Sequence, residues 1–163
     1  MCLMVSRHFY WVFLTVGTVL AAMLIYRTEL ISIVSPVQAF SIAEFGGVSL
    51  IVEHAATDAA REKGLGGRVS VADRYGMLFV FPEDDFHGFW MKDTLVPLDI
   101  FWLDDKGHVV SIAESVATSS YPHVFYPSVP ARYVLETGAG FGRAHHITFG
   151  TQLVLKNVVN VSK

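Results

Sequence analysis

The sequence predicts an α+β domain, mostly antiparallel and barrel-like, with one short helix, preceded by an N-terminal transmembrane or signal helix. Three observations predict this class. Short apolar, β-branched segments recur over residues 48–163 between glycine- and proline-rich turns, a pattern typical of paired strands. One Ala-rich segment has helical character. An uncharged apolar stretch near the N-terminus lies outside this pattern.

The N-terminal stretch, Phe9–Ile25, carries no charged residue. As a helix it would be about 25 Å long, slightly short of a bilayer core of roughly 30 Å. An uncleaved anchor and a secretory signal cleaved after Ala39 both remain open. We therefore predict a signal anchor or signal peptide over 1–29, a linker over 30–47 and the domain over 48–163. The domain is predicted to be extracytoplasmic, in the periplasm or at the cell exterior, and held at the membrane by residues 9–25, or secreted if cleaved.

Composition excludes several classes of protein. Apolar residues make up 52% and charged residues 17%, so there is ample surface to bury and disorder is excluded. Cys2 is the one cysteine, which excludes a disulfide scaffold. Lys and Arg number 12 against 15 Asp and Glu, a net charge of −3. This balance lacks the basic patch of a nucleic-acid-binding domain, so no nucleic-acid partner is predicted.

The elements of the domain follow from local patterns. The helix is predicted to begin after a cap at Thr57 or Asp58 and to end at Gly64. Pro82 is predicted to end the second strand, and the Asp104–Gly107 segment to form a hairpin turn. The predicted order is strand 48–53, helix 55–63, strand 76–81, acidic loop 83–85, broken apolar run 89–103, strand 108–113, irregular loop 121–130, strand 131–136, glycine turn 138–142 and one or two strands over 147–159.

The run Phe89–Leu103 is apolar except for a polar break at Lys92-Asp93-Thr94. A charge inside an apolar run is costly unless it is paired or wet. In an extended chain Trp90, Lys92 and Thr94 share one face. The sequence therefore predicts a cleft for a small polar or anionic ligand here. Its candidate ligand-binding residues are Arg68, Trp90, Lys92, Thr94, Asp99 and Glu136.

Each candidate also has a purely structural interpretation. Asp99 could cap backbone N–H groups at the bend after Pro97, and Arg68 could pair with it. Thr94 could close a turn made by Asp93. Glu136 could act as a general base if burial raises its pKa, or it could pair with a neighbouring arginine, either Arg132 or Arg143. The pattern alone leaves these alternatives open.

Five motifs occur in a fixed order along the domain, and their combination resembles a known family. They are Gly64-Leu65-Gly66-Gly67-Arg68, Gly76-Met77-Leu78-Phe79-Val80-Phe81, Phe89-Trp90-Met91-Lys92-Asp93-Thr94, Pro97-Leu98-Asp99-Ile100 and Tyr133-Val134-Leu135-Glu136. Over residues 48–155 the chain resembles the domain of unknown function 192 family. The resemblance implies a compact, mostly antiparallel β fold with a short helix, often behind a signal or anchor segment. It implies no settled activity.

Two positions depart from that family's usual pattern. The family usually has Gly-Leu-Met before its arginine, where this chain has Leu65-Gly66. It usually has Asn where this chain has Asp93, which adds a negative charge beside Lys92. The second departure bears on any preference of the cleft for anions.

The motifs favour ligand binding over catalysis. None of the seven histidines has the spacing of a zinc site, so no metal or other cofactor is predicted. No nucleophile–base–orienter set is visible, which disfavours an enzyme. The first hypothesis is therefore a domain that binds a small polar ligand or cell-envelope component near Trp90, Lys92 and Asp99. The alternatives are a hydrolase or lyase that uses Lys92 with Asp99 or Glu136, and a structural domain of the envelope that binds other proteins.

Overall fold

The computed structural model describes residues 39–160, which form seven strands and two short helices. The strands are β1 (Ala39–Phe45), β2 (Val48–Ala55), β3 (Tyr75–Asp85), β4 (Leu98–Leu103), β5 (Val109–Val116), β6 (Ala131–Gly138) and β7 (Leu153–Asn160). The helices are α1 (Asp58–Lys63), between β2 and β3, and α2 (Phe141–Ala144), between β6 and β7. A 3₁₀ turn covers Thr118–Ser120.

One seven-stranded sheet has the order β5-β4-β6-β3-β2-β1-β7. Every neighbouring pair is antiparallel except β2 and β3, which are parallel because α1 carries the chain across between them. The two edge strands meet at one end, where His108 bridges Gln152 and the Leu153 N–H donates to the Gly107 carbonyl at 2.9 Å. The sheet therefore curls into a half-barrel, which confirms the mostly strand, barrel-like prediction.

Each face of the sheet has its own apolar core. The first core includes Phe45, Leu50, Phe101, Leu103, Leu135 and Phe141. The second includes Met77, Phe79, Phe89, Met91, Ile100 and Trp102. Strand β4 contributes alternate residues to both cores, and all six of its residues are buried. A strand covered on both faces has no exposed positions, which explains why this part of the sequence lacks a polar alternation.

The predicted linker over 30–47 is wrong in its C-terminal part. Strand β1 occupies Ala39–Phe45 and pairs with β2 on one side and β7 on the other. Gly46 and Gly47 join β1 to β2 with φ of +61° and +78°. Two consecutive residues with positive φ form the tight turn of a β-hairpin, so this glycine pair belongs to the sheet rather than to a flexible segment.

The helix α1 begins at Asp58, and Thr57 caps it by accepting a hydrogen bond from the Ala60 N–H at 3.2 Å, which confirms one of the two predicted cap positions. Two further boundaries differ from the sequence prediction. Strand β3 continues beyond Pro82 to Asp85, because the pairing register with β6 shifts between Val80 and Asp85, where proline costs no ladder bond. The predicted glycine turn is followed by the helix α2, whose four residues are too few to produce a helical period in the sequence.

The predicted N-terminal helix, Phe9–Ile25, lies outside the described residues. Within residues 39–160, no helix is long and apolar enough to cross a membrane.

Candidate functional site

A cleft of about 340 Å³ opens over the second core, and we call it the Trp90 cleft. The end of α1, strands β3 and β6 and the segment 88–94 form its walls. Its charged and polar lining residues are Arg61, Glu62, Lys63, Lys92, Thr94 and Glu136. Its aromatic lining residues are Phe79, Phe81, Phe89 and Trp90.

The segment 88–94 is held in place by backbone hydrogen bonds to the proline-rich loop. The Phe89 N–H donates to the Phe125 carbonyl at 2.9 Å, and the reciprocal bond measures 2.8 Å. Phe89 and Met91 are buried in the second core, while Trp90 and Lys92 are exposed. Trp90 keeps 46% of its surface accessible. The predicted alternation holds over residues 89–92, where it turns a large aromatic ring and an ammonium group toward the cleft, and it ends before Thr94, which is 9% exposed.

The polar break itself is a tight turn. The Thr94 N–H donates to the Met91 carbonyl at 3.3 Å, and the Thr94 hydroxyl donates to the Lys92 carbonyl at 3.3 Å. Asp93 has a φ of +55°, a left-handed conformation in which Asp and Asn are enriched. The Gly67 N–H donates to the Asp93 carbonyl at 2.8 Å and so ties the loop after α1 to this turn. The left-handed backbone conformation therefore explains why Asp is suited to position 93, and Asn would be suited equally.

Glu136 forms the floor of the Trp90 cleft. It lies in register between Met77 of β3 and Ile100 of β4, and 4% of its surface is exposed. Burial raises the pKa of this carboxyl to about 8, so it holds its proton at neutral pH. Among residues 39–160, none is found donating a hydrogen bond to it.

Gly64 leaves the approach to Glu136 open. A methyl group on Gly64 would lie 3.7 Å from Glu136 Oε2 and 3.3 Å from the Phe79 ring. Gly64 also has a φ of +49°, which a side chain would strain. The helix thus ends at a residue that contributes no bulk beside the buried carboxyl.

The ion pairs proposed for Glu136 are not formed by the described residues. Arg132 instead pairs with Asp84 at 2.5 Å, near the far end of β3. Arg143 lies on α2, which packs its Phe141 into the first core, on the other face of the sheet. Neither Arg132 nor Arg143 therefore pairs with the buried carboxyl.

Asp99 does not line the Trp90 cleft, which corrects the sequence prediction. It alternates with Ile100 along β4 and so faces the first core, on the opposite side of the sheet. It is fully buried, and its carboxylate accepts from the Ser115 N–H at 2.7 Å and the Gly142 N–H at 2.9 Å. Asp99 is thus a backbone cap that holds α2 and β5 against β4, and it cannot act together with Lys92.

Arg68 is also placed elsewhere than predicted. It pairs with Glu53 at 2.6 Å and donates to the Tyr75 hydroxyl at 2.8 Å, and Tyr75 in turn donates to Glu53. Glu53 is 2% exposed, so this cluster neutralises a buried carboxylate on the same sheet face as Glu136. The predicted partner, Asp99, lies on the other face. Nothing in the sequence indicates that Glu53 is buried, because Ser49 and Ile51, which lie on the same side of β2, are exposed.

The charge of the Trp90 cleft is positive. Arg61, Lys63 and Lys92 line it against one ionised carboxylate, Glu62, when Glu136 holds its proton. Arg61 is engaged by Asp58 at 2.5 Å and by the Val80 carbonyl at 2.7 Å. In the described part of the chain, no ion pair involves Lys63 or Lys92. These two ammonium groups therefore remain available to an anion.

Sequence reasoning missed the contribution of α1. Its last turn supplies Arg61, Glu62 and Lys63 to the cleft, although the pattern indicated only a short surface helix. The glycine motif directly after the helix could have indicated this. Glycines allow a loop to approach another backbone closely, and the Gly67 N–H contacts the Asp93 carbonyl, which places the end of α1 beside the cleft. Within residues 39–160, no three His, Cys, Asp or Glu side chains are grouped so that they could hold a metal ion.

A curled half-barrel with a polar cleft over its second core is the class of domain that this fold and site define. The family model for domain of unknown function 192, described as an uncharacterised ACR, matches residues 41–155. The chain belongs to this family, which confirms the resemblance seen in the sequence. No curated protein matches the chain.

Two solved structures are similar to this chain. One, from Sinorhizobium meliloti 1021, is described provisionally as a transcription regulator; it is 31% identical, with a TM-score of 0.65, over 72% of this chain and 92% of that one. The other is a protein of unknown function from Novosphingobium aromaticivorans, 27% identical, with a TM-score of 0.63, over 70% of this chain and 84% of that one. Both support the half-barrel fold.

Proposed function

We propose that this domain binds a small polar ligand, a component of the cell envelope, in the Trp90 cleft. The observation that carries the proposal is Glu136. Glu136 is 4% exposed, yet among the described residues no side-chain oxygen that is sealed from solvent lacks a hydrogen-bond partner, so its carboxyl oxygens are reached through the cleft and are open to a group from outside the chain. The exposed ring of Trp90, the ammonium of Lys92 and the hydroxyl of Thr94 supply complementary contacts around it.

The envelope is proposed as the source of the ligand because of the N-terminal stretch Phe9–Ile25, which is predicted to deliver the domain across the membrane. A role in transcription, suggested by the description of the Sinorhizobium structure, is less favoured. A net charge of −3 provides no electrostatic attraction to a phosphate backbone.

A thermal-shift screen of the full-length chain in a mild detergent tests the proposal. The probes are hexoses, hexuronates, amino sugars and alanine-containing dipeptides. A bound compound stabilises the folded state, and at a hundred times its Kd it adds about 2.7 kcal/mol. At least one probe is expected to raise the Tm of the parent.

The control variants locate the response. The shift is expected to disappear in Trp90→Ala and to persist in Phe149→Ala, which removes a more exposed aromatic side chain outside the cleft lining. A shift that persists in Trp90→Ala, or the absence of any shift with all four probe classes, would overturn the proposal.

A second candidate function is hydrolysis or elimination, with Glu136 as general acid or base and Lys92 beside it. A carboxyl whose pKa lies near the working pH is the state that general acid–base catalysis requires, and burial gives Glu136 a pKa of about 8. This candidate predicts that Glu136→Gln abolishes product formation from an acidic polysaccharide while binding is kept. Unchanged turnover in Glu136→Gln, or no turnover by the parent, would exclude it.

A further inference from the structure

A second cleft, of about 440 Å³, adjoins the Trp90 cleft, and we call it the Gly67 cleft. Ala59, Gly66, Gly67 and Asp93 line it together with three residues that line the Trp90 cleft as well: Glu62, Lys63 and Lys92. Because these three residues line both clefts, the two clefts are neighbours with a shared rim, and we call the pair the groove. Each part lies in the size range of small-molecule sites, roughly 300–1,000 Å³.

The junction of the two clefts is where charge is concentrated. Lys63 ends α1 and Lys92 begins the 92–94 turn, and neither forms an ion pair within the described residues. Glu62 contributes the one carboxylate shared by both clefts. An anionic group at this junction can contact two ammonium groups, with Glu62 in both clefts and Asp93 in the Gly67 cleft as the opposing carboxylates.

The two ends of the groove offer different surfaces. The Trp90 cleft presents a half-exposed aromatic ring, which suits the flat apolar side of a pyranose, and the Thr94 hydroxyl and Glu136 carboxyl, which suit its hydroxyl groups. The Gly67 cleft has open space at Gly67, where a Cβ would meet no atom within 4 Å. A ligand that fills only the Trp90 cleft leaves this space empty.

We propose, resting on the proposed function, that the groove binds an acidic oligosaccharide of at least two sugar units, with a carboxylate at the Lys63–Lys92 junction. One ring stacks on Trp90, and the next lies in the Gly67 cleft beside Asp93. The ligand class follows from the shared rim of the two clefts, the two ammonium groups without an ion pair in the described residues, and the aromatic ring.

Asp93 supplies a sharp test because its charge can be removed without changing its backbone. Its φ of +55° is equally open to Asn. Its carboxylate lines the Gly67 cleft but not the Trp90 cleft. Asp93→Asn should therefore strengthen binding of an acidic disaccharide about threefold and leave binding of the acidic monosaccharide unchanged.

The experiment is isothermal titration of the full-length chain in a mild detergent with three probes: galacturonate, α-1,4-digalacturonate and the neutral disaccharide α-1,4-galactobiose. Digalacturonate is expected to bind at least tenfold more tightly than either of the others. Lys63→Ala should reduce that affinity at least tenfold. The matched control Lys156→Ala, at a half-exposed lysine paired with Glu44, should not change it.

The outcomes separate this inference from the proposed function. Equal affinity for galacturonate and digalacturonate, or for galactobiose and digalacturonate, overturns the inference, although Trp90-dependent binding of any of them would still support the function. No binding of digalacturonate also overturns the inference, and the function then depends on the thermal-shift screen. A threefold gain in Asp93→Asn for the monosaccharide as well would place the charge effect outside the Gly67 cleft and contradict the two-unit arrangement.

Discussion

Glu136→Gln is expected to make the folded domain more stable than the parent above pH 5, with a gain that grows up to about pH 8. The side chain is 4% exposed, and burial raises its pKa from an ordinary 4.5 to about 8. Such a difference corresponds to roughly 5 kcal/mol of unfavourable free energy for the ionised form in the folded state. Gln has nearly the same shape and carries no charge to desolvate.

The direction of the pH dependence follows from proton binding. Between about pH 4.5 and pH 8 the unfolded chain releases the Glu136 proton while the folded chain keeps it. The folded state then binds more protons, so its stability falls as the pH rises through this window. Below pH 4.5 both states are protonated and the group costs nothing. Above pH 8 the full penalty of roughly 5 kcal/mol is present and no longer changes.

Urea unfolding of both proteins at pH 4.5, 6 and 8 measures this effect. All groups other than Glu136 titrate in both proteins. Their contribution is therefore removed when the unfolding free energy of the parent is subtracted from that of Glu136→Gln. It should increase by several kcal/mol between pH 4.5 and pH 8. Glu62→Gln, at the exposed rim of the same cleft, is the control for the loss of a carboxylate that is not buried. A difference for Glu136→Gln that stays constant across this range would refute the burial argument.

The remaining predictions concern Asp99 and Arg68, the two candidate ligand-binding residues that lie outside the Trp90 cleft. Asp99→Ala leaves the Gly142 N–H in the core and the Ser115 N–H at its edge without their acceptor, and should cost on the order of 3 kcal/mol, or a Tm lower by roughly 10 °C in a calorimetric scan. Lys92→Ala, at an exposed residue, should stay within about 0.5 kcal/mol of the parent, and an equal loss in both variants would contradict this assignment. Arg68→Ala removes the cationic partner of the buried Glu53 and should cost on the order of 3 kcal/mol in urea unfolding. If Arg68→Ala instead kept full stability and lost ligand binding, Arg68 would belong to the site.

The part of the site that could be predicted from the sequence is the part that depends on local geometry. Trp90 and Lys92 alternate with the buried Phe89 and Met91, so a simple alternation places both toward the cleft, whereas Thr94 reaches the cleft through the turn at Asp93. Glu136 ends an apolar strand, so burial of its carboxyl with a raised pKa is one of the alternatives that the sequence leaves open. Their role in binding a ligand remains a prediction.

The errors arose where two distant segments had to be related. Asp99 follows a bend at Pro97. After a bend, the alternation of the preceding segment no longer predicts on which face of the sheet the next side chains lie. Arg68 finds its partner Glu53 across a parallel strand pair, a contact that no local pattern encodes. Gly46 and Gly47 carried a hairpin signal, but their position after the N-terminal stretch favoured a linker. Each error concerns register or pairing between strands, which depends on the whole sheet.

Amide hydrogen exchange of the full-length chain, with and without the probe that gives the largest thermal shift, tests the central claim most directly. Binding in the Trp90 cleft should protect amides in two segments, 61–67 and 88–94, that form opposite walls of the groove. The other face of the sheet, including the cleft near His54 and Tyr133, should exchange at an unchanged rate. Protection confined to that other face, with the two segments unaffected, would contradict the account.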